Sequence, residues 1–445
     1  VSEAAARRNS PPLEDFWMPF TANRRFKAAP RLLAEAEGVW YRDVDGRPVL
    51  DGASGLWCVN AGHGRGEIAD AVAKQLRKMD YAPTFQMGHP LPFEAAHALK
   101  TILPGAMDGV FFTNSGSESA DTSLKIALAY HAARGDPERN ILIGRERGYH
   151  GVNFGGISVG GIAHNRVKFG PLLPNVDHLR HTHDPARNAF SRGQPQHGGV
   201  EMAEDLLRLF EIHGADRIAA VIVEPMAGST GVLVPPVGYL ERLRELCSEH
   251  GILLIFDEVI TGFGRLGAAF AAQRYGVTPD IMGLAKGLTN GAIPMGAVAV
   301  TADVRNTIIE AADPLAVELM HGYTYSGHPA ACVAAIATID IYRREGLFER
   351  AAELAPYWQE AVHSLRGLPH VVDIRNDGLV GGIELAPRAE GPGKRGYDVY
   401  VDCFARGLLC RVTGDTLAFA PPLIIETAEI DRLIDTVGKA IAAVA

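Results

Sequence analysis

Short uninterrupted apolar runs recur through the middle of the chain: Val110–Thr113, Ile141–Gly144, Ala219–Glu224, Ile252–Asp257, Ile281–Leu284 and Met295–Val300. Runs of this length without alternation predict strands buried on both faces. Between several of them the pattern changes to the helical period, as in Ser117–Ala133 and Gly238–Glu249. Strands alternating with helices predict an α/β region with a largely parallel sheet, from Gly62 to His328. Upstream, Gly38–Asp51 alternates around an Asp-Gly turn, which predicts a β-hairpin; Ile68–Met79 has helical periodicity. Downstream, helices are expected within Pro329–Arg344 and over Leu347–Leu365 and Thr427–Ala443. Short strands are expected around Val371–Ile374, Leu379–Leu385 and Leu408–Arg411. Alternation is no longer strict there. The expected organisation is a large domain at 62–328, with a smaller α+β domain built from 1–61 and 329–445. Asn188–Gly199 reads as a polar loop inside the large domain, and no tandem repeat is visible.

Composition narrows the setting. The 445 residues suit two or three lobes, and 47% hydrophobic with 21% charged residues is ordinary for a soluble globular protein. A net charge of −9 disfavours nucleic acid and anionic membrane as partners. The apolar runs are strand-sized, so no membrane span is expected. The N-terminal VSEAAARRNSPPLEDFW lacks the apolar core of a secretory signal. Five cysteines, Cys58, Cys247, Cys332, Cys403 and Cys410, are odd in number and form no C-x-x-C. They read as buried thiols of a reducing compartment, so a cytoplasmic location is expected.

Three places carry chemistry. Lys286, in IMGLAKGLTNG, follows a strand-like run and sits among small and apolar residues. Desolvation favours its neutral amine, a nucleophile for carbonyls. On that stretch alone a snorkelling surface lysine is the plainer reading. Asp257 ends the run LLIFD, where a carboxylate needs a cation or donor. It reads as an acid holding a proton on a ligand's ring nitrogen, or as a plain strand end. In FFTNSGSES a strand runs into a helix start at Gly116 and Ser117. Such amides cradle a phosphate. The alternative is an ordinary cap, with Ser117 capping and Glu118 and Asp121 in the first turn. A phosphate cradle, an acid for a ring nitrogen and an imine-forming lysine are together the requirements of pyridoxal 5'-phosphate.

FFTNSGSES, RERGYHG, VIVEPMAGSTGV, LLIFDEVITGFGR, AKGLTNG and HGYTYSGHP, in this order and spacing, resemble a class III aminotransferase, from about Phe16 to the C-terminus. The blocks RERGYHGVNFGGISVGGI and LLCRVTGDTLAFAPPLII narrow the resemblance to the ω-amino acid:pyruvate aminotransferases, with β-alanine as amino donor. The resemblance implies fold type I and pyridoxal phosphate as cofactor. It implies Lys286 as the Schiff-base lysine and Asp257 as partner of the pyridinium nitrogen. Gly116 and Ser117 are implied as phosphate ligands, Tyr149 and Val259 as the walls on either ring face, and Glu224 as a residue behind them. Thr324 is implied to reach the phosphate of a neighbouring subunit, which requires a homodimer, with a tetramer also open. Phe20, Trp57 and Tyr149 are implied to shape the substrate pocket, and Arg411 to receive the substrate carboxylate. The implied reaction is a ping-pong transfer from β-alanine to pyruvate that releases malonate semialdehyde and alanine. Relatives acting on taurine, 4-aminobutyrate or simple amines share the cofactor residues. Where family members carry alanine or a larger residue, this chain has Gly287, expected to loosen the loop after the lysine.

Other classes fit less well. Gly156-Ile-Ser-Val-Gly160 matches the G-x-S-x-G of serine hydrolases at Ser158, but no apolar helix begins after it. Gly62-His-Gly-Arg-Gly66 lacks the spacing of a nucleotide loop. His181 and His183 have no third ligand at recognisable spacing, so no metal site is expected.

Overall fold

A computed structural model describes residues 12–444. The expectation about a secretory segment falls largely on residues 1–11, outside the described residues. Three strands open the chain: β1 (Leu33–Glu37), β2 (Trp40–Asp43) and β3 (Pro48–Asp51). Seven more, β4 (Met107–Thr113), β5 (Ile141–Arg145), β6 (Val176–Leu179), β7 (Ile218–Val223), β8 (Leu253–Asp257), β9 (Ile281–Leu284) and β10 (Gly296–Thr301), form one sheet in the order β4-β10-β9-β8-β7-β5-β6. The last five are β11 (Val371–Asp377), β12 (Val380–Leu385), β13 (Leu408–Leu409), β14 (Arg411–Thr413) and β15 (Thr416–Phe419).

The central strands β7, β8 and β9 are buried at every position, which is why each appears in the sequence as an unbroken apolar run. β5 through β9 pair in parallel. β10 runs antiparallel to both β9 and β4. Only residues 285–295 separate β9 from β10, too few for the helical crossover that a parallel return needs. Helices Gly116–Ala133 and Tyr239–Glu249 pack against this sheet, their buried faces set by Leu124, Ile126 and Ala127 and by Leu240, Leu243 and Leu246.

The two ends of the chain meet. β13 pairs in parallel with β3, so a C-terminal strand completes the sheet β1-β2-β3-β13. β11, β12, β15 and β14 form a second antiparallel sheet. The expected single strand Leu408–Arg411 is two strands. The chain leaves one sheet after Leu409 and joins the other at Arg411, with buried Cys410 at the crossing. Helices Pro329–Arg344 and Thr427–Ala443 span the expected residues. Among the described residues no helix is long and apolar enough to cross a membrane.

Candidate functional site

The chemistry gathers beyond the carboxyl ends of the strands, where open α/β sheets hold ligands. Gly116 and Ser117 follow β4, and Tyr149 and His150 follow β5. Glu224 follows β7, Asp257 ends β8 with Val259 just beyond, and Lys286 stands two residues after β9. All of them line one cavity of about 130 Å³. A wider cleft of about 600 Å³, lined by Ile68, Val72 and Leu76 of a helix and by Ile293, contains none of these groups.

Lys286 has φ 48°, in the left-handed region that an L-residue occupies at a cost. It accepts that backbone at the start of a short 3-10 turn, Lys286–Thr289, whose end is tied down. Asn290 accepts from the Ala61 amide at 2.8 Å and donates to the Gly62 carbonyl at 2.8 Å. Burial pushes the Lys286 ammonium below its ordinary value, and the Asp257 carboxylate offsets part of that. Gly287 is not a point of looseness. It is buried, its carbonyl accepts from Tyr342 Oη at 2.7 Å, and a Cβ there would sit 2.8 Å from Cβ of Phe263. Glycine lets the turn press against Phe263 and Asn60.

Asp257 is 7% exposed and uses both oxygens. Oδ2 lies 2.8 Å from His150 Nδ1, and Oδ1 accepts from the Val259 amide at 3.1 Å. Glu224 accepts from the amides of Tyr149 at 2.9 Å and Gly228 at 3.2 Å. Burial pushes its carboxyl up to about 7, with Asp257 adding to the shift. Burial also raises the Tyr149 phenol.

The helix Gly116–Ala133 is capped by Ser115, whose hydroxyl accepts from the Glu118 amide at 3.2 Å. Ser117 therefore is not the cap. Its Oγ accepts from the Val152 amide at 3.1 Å. The acids of the first two turns are engaged elsewhere: Glu118 accepts from the Asn114 amide at 2.7 Å, and Asp121 from the Gly156 amide at 2.9 Å. The Gly116 and Ser117 amides have no protein acceptor among the described residues.

Four expected site residues lie off this cavity. Trp57 is 5% exposed and packs in a cluster with Met226, Val232 and Ile260. Phe20 is 76% exposed. Thr324 is exposed, and its carbonyl accepts from Tyr81 Oη at 3.0 Å. Arg411 is exposed at the start of β14 and has no ion-pair partner among the described residues, although its charge reaches Lys286 and Tyr149. Two neighbours of the expected residues were not singled out by sequence. His150 touches Asp257, and its signal is its place beside Tyr149 in RERGYHG. Cys58 sits close enough to Lys286 for the lysine's charge to oppose the burial that raises its thiol.

The competing motifs resolve locally. Ser158 is fully buried in the helix Phe154–Val159, donates to the Phe154 carbonyl and accepts from the Leu173 amide at 3.0 Å. It is a structural hydroxyl with no imidazole bonded to it among the described residues. His183 does have two carboxylates nearby, Asp373 and Glu384, which spacing alone did not reveal. The Arg375 guanidinium donates to both, so a cation already occupies their midst. His181 spends Nδ1 on the His183 amide.

Residues 21–441 match the family described as aminotransferase class-III. The chain is 60% identical to an omega-aminotransferase of Caulobacter vibrioides, covering 96% of this chain and 97% of that one. It is 54% identical to the beta-alanine–pyruvate aminotransferase of Pseudomonas aeruginosa, covering 97% and 96%. The crystal structure of an omega transaminase from Pseudomonas jessenii in complex with PMP superposes with a TM-score of 0.92 at 32% identity, covering 97% of each chain. The fold is accordingly fold type I, and the chain belongs to the class III aminotransferases.

Proposed function

We propose that the protein moves the amino group of an ω-amino acid such as β-alanine to pyruvate, with pyridoxal 5'-phosphate as cofactor and as a homodimer. The observation that carries this is the convergence, in one cavity, of a lysine disposed to be neutral, a buried carboxylate and two helix N-terminal amides with no acceptor among the described residues. The names of the relatives at 54% and 60% identity support the substrate class.

The residues present fit the cofactor. The Gly116 and Ser117 amides offer donors to a phosphate, and the first-turn acids that would repel it are turned to other partners. The Asp257 carboxylate is positioned for a ring nitrogen, and Tyr149 and Val259 stand half-buried on the cavity wall. When bound, pyridoxal phosphate supplies a carbonyl carbon to take the amino group and a protonated ring to accept electrons. Lys286 would hold it, and its neutral amine would take a proton from the donor carbon and hand it on. Asp257 would keep the ring nitrogen protonated. Arg411, exposed and without a carboxylate partner among the described residues, receives the carboxylate of either substrate. An arginine able to turn toward water also admits amines that carry no carboxylate, which is the second reading.

Support for the homodimer comes from the surface around Thr324. Phe85, Met87, Met320 and Tyr325 are all more than half exposed. They stand on two segments joined by Tyr81 to the Thr324 carbonyl and by Thr84 Oγ1 to the Ser326 carbonyl at 3.0 Å. An apolar face of this kind marks a contact surface. Thr324 lies on it, exposed and outside the lining of its own cavity, and is available to a second copy.

Purified protein supplied with pyridoxal phosphate tests the reading. A visible band that shifts on adding β-alanine and returns with pyruvate, with alanine formed in equal amount, is the expected result. Alanine formation from simple amines alone would favour the second reading, and no spectral change with any amine would refute both.

A further inference from the structure

We propose that Arg375 is a positioning residue for carboxylate capture: through one strained turn it sets the strand that carries Arg411. This rests on Arg411 receiving the substrate carboxylate.

Arg375 is 6% exposed and stands on β11 opposite Gly382 of β12. Two carboxylates hold its guanidinium. Nη1 donates to Asp373 Oδ2 and, at 2.6 Å, to Glu384 Oε2. Charge-assisted bonds on a rigid planar group fix where its other donors point. Nε points at the Gly231 carbonyl, 2.9 Å away. That carbonyl can come so close because Gly382 has no side chain; a Cβ there would stand 2.9 Å from it.

Gly231 belongs to a strained turn. It has φ 109°, and Val232, which follows, has φ 60°, a region that a β-branched residue enters only at a cost. Two backbone bonds between Ala227 and Leu233, at 3.1 and 2.9 Å, close the turn, and the Val232 side chain is buried with Trp57 and Ile260. The bond from Arg375 holds the turn at its strained tip.

The turn touches both halves of the site. On one side, the Gly228 amide donates to Glu224 at 3.2 Å, and Gly228 lies against Ile260; Glu224 and Ile260 both line the cavity. On the other, the Ser229 carbonyl accepts from Thr413 Oγ1 at 2.8 Å. Thr413 and Arg411 are two residues apart on β14, so their side chains share one face. β14 is three residues long and lies at the edge of its sheet, so a bond at Thr413 weighs heavily in where the strand sits. Arg375 acts on Arg411 along this path, through Gly231, Ser229 and Thr413.

Two variants cut the path at its ends. Arg375→Lys keeps a cation between Asp373 and Glu384 but puts no donor at the place of Nε. Thr413→Val removes the hydroxyl that holds the Ser229 carbonyl. The native enzyme, both variants, the double variant and Arg411→Ala are compared for melting temperature, Kd for pyridoxal phosphate, kcat, and KM for β-alanine, pyruvate and a simple amine. Each single variant should raise KM for β-alanine and pyruvate about three- to tenfold. Its kcat, its KM for the simple amine and its cofactor Kd should stay within about twofold of native, because only carboxylate binding is weakened. The double variant should be no worse than Arg375→Lys alone, since both changes break one path. A role in stability alone would lower the melting temperature and leave the KM values as they were. Native KM for both carboxylates in a folded variant, an equal loss with the simple amine, or losses that multiply in the double variant overturn the proposal. If Arg375→Lys does not fold, Thr413→Val, a change on an exposed strand, decides it by the same KM values. Arg411→Ala with native KM for both carboxylates overturns the reading of Arg411 and this inference with it.

Discussion

Lys286 is drawn two ways: burial favours the neutral amine, and Asp257 favours the ammonium. Burial is the larger influence, so the amine becomes neutral below the lysine's ordinary value. The base must be unprotonated to act, so the rate of the cofactor-loaded enzyme should rise with pH through a midpoint below about 10.5. A profile still rising steeply above that value would contradict it. Lys286→Ala should lower turnover by about ten-thousandfold or more, since on the proposed reading it removes anchor and base together; assays of alanine formation check this. Arg411 makes a different prediction. Removing a charged hydrogen-bonding partner costs about 1.5–3 kcal/mol, so Arg411→Ala should raise KM for β-alanine roughly ten- to a hundredfold. Steady-state kinetics with a simple amine should show little change, and equal losses would remove Arg411 from the carboxylate role. Lys286 and Asp257 were legible in sequence because each stands at or just past the end of a buried strand, visible as the last apolar residue, and Ser117 because a strand there runs into a helix start. His150 sits in an irregular loop and carries no periodicity, so its contact with Asp257 became visible only through the fold.

Five of the six apolar runs became strands that the sheet buries on both faces, whereas Val110–Thr113 lies in the edge strand β4, where Val110 and Phe111 are half-buried. β6, with the sequence VDHL, did not stand out, because an edge strand keeps half-exposed Asp177 and His178. β1, LAEAE, is exposed throughout and has no apolar run at all. The link from β8 to the helix Ala271–Tyr275 also needs tertiary structure to be seen. Glu258 is fully buried, accepts from the Ala271 amide at 2.9 Å and the Ala272 amide at 2.7 Å, and thereby holds that helix start beside the site. Burial pushes its carboxyl from the ordinary 4.5 to about 7. Between those values the folded chain keeps a proton that the unfolded chain has lost, so this group's contribution to stability falls as pH rises. Glu258→Gln cannot titrate. Its stability relative to the native protein should therefore improve from pH 5 to pH 8, by roughly 1.4 kcal/mol per unit inside the window. Apoprotein denaturation at several pH values checks this, and a difference that does not move with pH would contradict it.

At the scale of the whole molecule, the Thr324 loop is fastened to the helix whose first turn lines the cavity. Thr122 Oγ1 lies 2.9 Å from His321 and 3.2 Å from Tyr323 Oη. A two-fold axis through the apolar face would let each loop serve the other chain's site, since such contacts are reciprocal. Mixing two defective chains separates this arrangement from one in which Thr324 serves its own cavity. Thr324→Glu puts a negative charge where a phosphate would lie, and Lys286→Ala removes the base. Each homodimer should be nearly inactive. In a mixed dimer, one site combines the native Lys286 of one chain with the native Thr324 of the other. Random pairing at equal amounts makes half the dimers mixed, each with one working site of two, so co-expression should restore about one quarter of native specific activity. If Thr324 serves its own chain, the mixed dimer holds no intact site and the mixture stays as inactive as its parts. Sedimentation of the same sample shows whether the chains have paired, so a silent mixture of dimers counts against the shared site and a silent mixture of single chains against the dimer itself.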